Sequence, residues 1–322
     1  MANADTAHIL HRRGLFGPNA VDRVFRWGTL IIAIIVPVLI LVLWFVLTRD
    51  SILSVQHFGG RFLTRSIWDP VTGQFGVLFA IFGTAVSSLL ALLIAVPISL
   101  GAALFLAELA PRWLRNPVSF LIEMLAAVPS IVYGLWGLFV LVPRLVPLET
   151  WLGKHLGFLP IFQGAPFGVG MLAAGLILAI MILPYITSVS REVIQAVPRS
   201  QREAALALGA THWETLRGPV LRYARSGILG AVILGLGRAL GETMAVTMVI
   251  GNVPKIAASL FSPGYTLPSL LANEFVEATE PLHVSALVEA ALVLLVITFI
   301  VNAGARVLIW SVSRGQAQGV RE

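Results

Sequence analysis

An arginine and a glutamate lie four positions apart inside the apolar stretch LGLGRALGETMAV, residues 234–246. This spacing predicts that Arg238 and Glu242 share one face of a helix. Each charge costs roughly 2.5–3.5 kcal/mol at the centre of a bilayer. A guanidinium fork matches the oxygens of an oxyanion, and a neighbouring carboxylate could keep that attraction weak enough for release. The pair therefore predicts a transport pathway, and an ion pair that only packs helices together is the alternative.

The composition indicates a membrane protein with several spans. The 322 residues are 57% hydrophobic and 12% charged, with a mean hydropathy of +0.90. A soluble chain carries about twice that charged fraction. Zero cysteines exclude disulfides, thiolate metal sites and cysteine nucleophiles. The net charge is +6, but the basic residues are spread over loops, which predicts contact with membrane lipid and none with nucleic acid.

Six apolar segments are near or above the length that crosses a hydrocarbon core of about 30 Å. They cover residues 29–48, 77–107, 118–142, 168–190, 227–250 and 284–310. Pro97, Pro129 and Pro184 fall within the second, third and fourth segments and predict kinked helices. With the fifth span beginning near Gly227, Arg238 lies 11 residues into it, which is roughly 16 Å at 1.5 Å per residue. The sequence therefore predicts an all-α polytopic membrane protein with Arg238 near mid-membrane.

The distribution of basic residues assigns the two sides of the membrane. With the N-terminus inside, the inner segments hold 15 of the 22 Lys and Arg residues, and they are 1–28, 108–117, 191–226 and 306–322. The three outer segments hold 6. Because cytoplasmic loops carry the excess of Lys and Arg, both termini are predicted to be cytoplasmic.

The long inner loop, residues 198–222, reads PRSQREAALALGATHWETLRGPVLR and is too polar to lie in lipid. Ser200 with Glu203 fits a capping box that opens a short helix. Gly209 can end that helix in a left-handed conformation, and Thr211 with Glu214 fits a second capping box. The pattern predicts a helix, a tight glycine turn and another helix.

The first helix of this loop presents small apolar residues. Ala204, Ala205 and Leu208 form a face that suits a groove on another protein. An amphipathic helix lying on the membrane surface is the alternative. Capping chemistry by itself does not decide between the two.

Motifs for nucleotide or metal chemistry do not occur in the chain. No G-x-x-x-x-G-K-[ST] phosphate loop is present, so we expect no ATPase site, no catalytic residue and no metal site here. An intramembrane enzyme is disfavoured because H-E-x-x-H and G-x-S-x-G are lacking. A secondary transporter is disfavoured because no internal repeat is visible.

Two sets of residues resemble known transport proteins. EAALALG, residues 203–209, resembles the EAA loop of ABC-importer permeases, which docks on the ATPase subunit. The resemblance implies docking through Glu203, Ala204, Ala205, Leu208 and Gly209. Beyond Gly209 the pattern departs, because Pro219 and Arg222 stand where an isoleucine and a proline are expected. The route from this loop into the fifth span therefore stays open.

A narrower resemblance covers about residues 76–308. LGLGRALGETMAVTMVIGN (234–252), AAVPSIVYGLWGLF (126–139), LAAGLILAIMILPYI (172–186) and LANEFVEA (271–278) resemble the PstC-type permeases of bacterial phosphate-specific ABC importers. In that family the arginine and glutamate of the R-A-L-G-E segment are linked to phosphate translocation. They correspond to Arg238 and Glu242.

The resemblance implies the type I ABC-importer permease architecture and a location in the bacterial cytoplasmic membrane. The predicted parts are an inner tail 1–28, a first helix and external loop 29–76, a five-helix core 77–310 with coupling loop 198–222, and an inner tail 311–322. Implied partners are a homologous PstA-type permease, a PstB-type ATPase dimer that carries ATP and Mg²⁺, and an external phosphate-binding protein. A permease for molybdate or sulfate is the alternative.

Overall fold

The computed structural model describes the backbone of residues 18–318 and the side chains of residues 22–311. Parts of both predicted tails, residues 1–17 and 319–322, lie outside the described residues. The described chain is mostly helical, and six of its helical stretches are long and apolar enough to cross a membrane. They are Asp22–Asp50, Leu78–Leu109, Ser130–Leu156, Met171–Gln195, His212–Gly241 and Pro281–Ser311. The predicted all-α fold with six spans is confirmed.

The described helices are numbered in chain order. They are α1 Pro18–Asp50, α2 Ile52–Phe58, α3 Arg61–Thr64, α4 Leu78–Leu104, α5 Arg112–Ala127, α6 Ser130–Trp136, α7 Val142–Leu156, α8 Met171–Gln195, α9 Arg199–Ala207, α10 His212–Thr215, α11 Leu221–Gly241, α12 Met244–Val249, α13 Leu267–Glu274 and α14 Pro281–Gln318. An antiparallel hairpin pairs β1 Trp68–Asp69 with β2 Gln74–Phe75. Three π-helical turns extend or join the long helices, and they are Phe105–Leu109, Gly137–Leu141 and Leu216–Val220.

The chain divides into two compact units at residue 50. The first, residues 1–49, contains almost all of α1, and residues 30–46 of this helix are apolar and exposed on every face, including Ile31, Ile35 and Leu39. A helix that is hydrophobic all round is a membrane span or a core helix. The exposure of these side chains fits a membrane span.

In the second unit, α8 is the central helix. In its most apolar 18-residue window, 67% of the residues are buried, whereas 28% are buried in the corresponding window of each of the other four spans of this unit. It packs against α4 and α11, and small residues such as Ala91 and Ala174 line the contact. Small side chains let membrane helices approach closely, so van der Waals contact can stabilise the bundle.

The third span differs from the prediction. Residues 118–142 do not form one kinked helix, because α5 ends at Ala127 and α6 begins at Ser130. Val128 and Pro129 between them have extended backbone, with ψ angles of 129° and 141°. A proline disfavours helical backbone in the residue before it, so Pro129 ends α5. Pro97 and Pro184, in contrast, lie inside α4 and α8 as predicted.

The close approach of α4 to a loop gives a stability prediction. A Cβ atom at Gly83 would lie 1.9 Å from the carbonyl oxygen of Tyr265, which belongs to backbone and cannot rotate away. Gly83→Ala should therefore destabilise the protein by about 1–3 kcal/mol or more, lowering the midpoint of thermal unfolding in detergent. The matched control is Gly101→Ala on the same helix, where no atom lies within 4 Å. An unchanged midpoint for Gly83→Ala would contradict this packing.

Candidate functional site

Arg238 lies in the last turn of α11 and is half-buried. The negative end of the helix dipole favours a cation at this position. The guanidinium carbon sits 4.7 Å from the centroid of the Tyr185 ring, in a cation–π contact. The Nε–H is buried without a hydrogen-bond partner among the described residues. Arg238 is thus held by an aromatic face, and part of its donor capacity is unused.

Glu242 lies beyond the helix. Because α11 ends at Gly241 and Glu242 has ψ 124°, the prediction that Arg238 and Glu242 share one helical face is wrong. The Glu242 carboxylate is buried and accepts a hydrogen bond of 3.4 Å from the backbone N–H of Ala245, in the first turn of α12. Within the described side chains, no ion pair shorter than 4.0 Å joins it to Arg238. The two charges therefore do not neutralise each other by direct contact.

The fifth span also ends earlier in the sequence than predicted. Residues 227–250 do not form one helix, because Glu242 and Thr243 separate α11 from α12. At the other end, the helix that contains α11 begins at His212, which is before Gly227. Arg238 consequently lies at the end of a helix.

Two tyrosines interact with Arg238, Tyr185 through the face of its ring and Tyr133 electrostatically. The hydroxyl of Tyr185 donates to the carbonyl of Ala126 at 3.0 Å, and that of Tyr133 donates to Leu125 at 2.8 Å. Both carbonyls belong to the last turn of α5, where a helix lacks internal donors. Tyr133 and Tyr185 were not predicted as site residues from the sequence, although both fall in segments with the family resemblance. Half of the four tyrosines of the chain meet at this point, and no local pattern could reveal it.

The inner loop folds into the predicted helix, turn and helix. Gly209 follows α9 with φ +84°, the left-handed conformation predicted for it. The N–H groups of Gly209 and Ala210 bond to the carbonyls of Leu206 and Ala205, which is the Schellman arrangement. The glycine stop is confirmed.

Of the two predicted capping boxes, only the second forms. Thr211 and Glu214 bond reciprocally through side chains and backbone, as predicted. The box of Ser200 and Glu203 is wrong, because α9 begins at Arg199 and Pro198 occupies the cap position without a side-chain bond. A proline before the helix supplies an extended entry and displaces the serine from the cap.

The predicted docking residues are mostly exposed. Leu208 is 89% exposed at the end of α9, and Glu203, Ala204 and Gly209 are also exposed. Ala205 is half-buried. Two larger apolar side chains of the same loop, which were not predicted from the sequence, are also exposed, and they are Leu206 (49% exposed) and Trp213 (63% exposed).

Pro219, which departs from the EAA pattern of the family, lies in a π-helical turn. Pro219 lies within Leu216–Val220, which joins α10 to α11. A π turn tolerates a residue that cannot donate to the regular α-helical ladder. The second helix of the loop therefore runs directly into the fifth span.

A six-span helical chain with an exposed helix–turn–helix between the fourth and fifth spans has the architecture of an ABC-importer membrane subunit. Residues 95–314 match the family described as binding-protein-dependent transport system inner membrane component. The chain belongs to this family and is an integral inner-membrane permease subunit of an ABC transporter. The family resemblance read from the sequence is confirmed.

Several relatives are similar over most of their length. The chain is 48% identical over 302 residues to the phosphate transport system permease protein PstC of Haemophilus influenzae, covering 92% of this chain and 96% of the relative. It is 47% identical over 293 residues to PstC of Mesorhizobium japonicum, covering 89% and 90%. Identity to PstC 2 of Mycobacterium tuberculosis is 43% over 289 residues, covering 87% of each chain.

Solved structures show the same fold at low identity. The MetNI methionine ABC transporter in an inward-facing conformation matches with a TM-score of 0.56 and 16% identity, covering 76% of this chain and 99% of that one. An amino acid ABC transporter crystallised with histidines matches with a TM-score of 0.50 and 20% identity, covering 73% and 92%. These likenesses support the type I permease fold.

Proposed function

We propose that this chain is the membrane permease of an ATP-driven importer that moves inorganic phosphate across the cytoplasmic membrane by alternating access. The observation that carries the proposal is Arg238, a half-buried guanidinium held by the face of Tyr185 and without a carboxylate partner within 4.0 Å in the described part of the chain. The names of the relatives supply the substrate, since all three are phosphate permeases.

The chemistry of Arg238 suits a substrate that must bind and leave. Its planar fork can donate two parallel hydrogen bonds to phosphate oxygens. These bonds are stronger in a site of low dielectric than they are in water. Glu242 is nearby in the chain and buried. A carboxylate there opposes tight anion binding and accepts a hydrogen bond from a protonated phosphate oxygen.

The inner loop supports the proposed partners. Leu208, Leu206 and Trp213 give an exposed apolar surface of the kind that fills a pocket on another protein. We assign it to an ATPase dimer that binds ATP and Mg²⁺, with a second, homologous permease and an external phosphate-binding protein completing the importer. This assembly places the loop and both termini in the cytoplasm.

Reconstitution tests the function directly. Proteoliposomes that contain this chain with its co-purified subunits should accumulate labelled phosphate only when the binding protein and ATP are both supplied. Excess molybdate or sulfate should leave the uptake unchanged. Competition by either oxyanion would favour the other substrate class, and uptake without ATP would contradict an ABC importer.

The cation–π contact between Arg238 and Tyr185 gives a further prediction. Tyr185→Phe keeps the aromatic face and should retain most of the phosphate uptake, although it loses the bond to Ala126. Tyr185→Leu should lower uptake roughly 2- to 30-fold, which corresponds to about 0.5–2 kcal/mol for a cation–π contact. Equal uptake by the two variants would show that the ring does not position Arg238.

A further inference from the structure

Arg202 of α9, the helix that carries the predicted docking residues, bonds to groups outside that helix. Its guanidinium bonds the Glu108 carboxylate oxygen Oε1 twice, from Nη2 at 2.6 Å and from Nε at 3.2 Å. It also donates to two backbone carbonyls, that of Ile194 at 3.0 Å and that of Val197. One side chain thus makes four hydrogen bonds to groups outside α9.

These partners belong to the inner ends of two packed spans. Glu108 lies in the π turn Phe105–Leu109, which continues α4. Ile194 lies in the last turn of α8, and Val197 follows the end of that helix. The carbonyls at a helix end lack internal partners, so a cation that bonds them stabilises the end. Arg202 therefore fastens α9 to α4 and α8 together.

The contact is shielded from solvent. The side chains of Arg202 and Glu108 are 21% and 11% exposed. Exposed ion pairs contribute little to stability, but removing one partner of a shielded pair leaves a costly unpaired charge. The π turn itself is held from a third side, because Arg115 of α5 donates to the carbonyls of Ala107 and Ala110.

A continuous helix leads from this contact to the proposed substrate site. Tyr185, which holds Arg238, lies on α8 ten residues before Gln195. That distance is roughly 15 Å along a helix. A movement of α9 that is transferred to the end of α8 therefore displaces the ring on which the arginine rests, since a packed helix transmits strain along its length.

We propose that Arg202, through Glu108 and the end of α8, is the positioning residue that transmits movement of the docking helix to the transport pathway. The inference rests on the proposed function, because it requires an ATPase that moves α9. Removal of the contact leaves the exposed docking surface of Leu206, Leu208 and Trp213 in place. ATP hydrolysis should then continue while phosphate transport fails to follow.

The test measures phosphate imported per ATP hydrolysed by the complete reconstituted importer. Arg202→Gln and Glu108→Gln should each lower this ratio about tenfold, within the roughly 5- to 150-fold range of coupling between distant sites. Arg202→Lys keeps the charge but loses the fork, and should fall between these variants and the wild type. The matched control is Glu123→Gln, which removes a bond of 3.4 Å to Arg191 of α8 without touching α9. Its ratio should equal that of the wild type.

Three results would overturn the inference. The first is an unchanged ratio of phosphate imported to ATP hydrolysed in both glutamine variants. The second is a parallel fall in ATP hydrolysis and phosphate uptake that leaves the ratio constant, and the third is loss of the ATPase from the purified complex. The last would mean that Arg202 only shapes the docking surface. The wild-type complex tests the proposed function by itself, because absence of ATP-driven phosphate uptake there would contradict that function. The variants test only the role of Arg202.

Discussion

Phosphate uptake by the reconstituted importer is expected to fall more than about 30-fold when Arg238 is replaced by glutamine, while the complex still assembles. The reason is that truncating one partner of a buried charge-assisted contact costs about 2–5 kcal/mol. Arg238→Lys should recover only part of the uptake, because ammonium keeps the charge and loses the bidentate fork. Uptake of labelled phosphate, scored per assembled complex, measures both effects.

The double variant Arg238→Gln with Glu242→Gln separates a pathway role from a packing role. If the two side chains only supported helix packing, a double variant that still assembles would transport phosphate at the wild-type rate. On the proposed pathway, the double variant assembles and does not transport. The control is Arg306→Gln, an exposed arginine of α14. Full uptake by the double variant would remove Arg238 and Glu242 from the transport mechanism.

The second large effect concerns the docking surface. Leu208→Asp should weaken binding of the ATPase more than about 30-fold, since an interface hot spot contributes at least about 2 kcal/mol. Leu208 is 89% exposed, so the substitution leaves the fold of the permease unchanged. Co-purification of the ATPase with the membrane subunits measures the loss, and phosphate uptake should stop with it.

A matched control distinguishes docking from a general effect of an added charge. Val71→Asp places the same charge at an aliphatic residue that is 96% exposed in the hairpin turn, outside the inner loop. It should leave the ATPase bound. Normal ATPase recovery with Leu208→Asp would show that the docking contact lies elsewhere on the loop.

The features that the sequence predicted well are those that depend on neighbours in the chain. The left-handed stop at Gly209 and the box of Thr211 with Glu214 need only residues within one turn, and both form. The number of spans follows from hydropathy, because every backbone polar group in lipid must be satisfied within a helix. Local chemistry was sufficient for these elements.

The features that it missed depend on tertiary contacts. Nothing in the spacing of Arg238 and Glu242 shows that the helix ends at Gly241, or that Tyr185 of another span lies beneath the guanidinium. Likewise, the hydrogen-bonded ion pair of Arg202 and Glu108 joins residues that are 94 positions apart in the sequence. The candidate residues could be named from the sequence, but their partners required the structure.

The aromatic seat of Arg238 has a consequence for the membrane as a whole. The Arg238 guanidinium rests on a ring and has no carboxylate within 4.0 Å in the described part of the chain, so no direct ion pair cancels the electric field of its positive charge. On the proposed pathway this field repels sodium, potassium and hydronium ions, as an arginine does in water-selective pores. The importer can then change its access from one side to the other without leaking the ion gradients that energise the cell. The residue that attracts phosphate would also prevent cations from crossing the membrane through the same pathway.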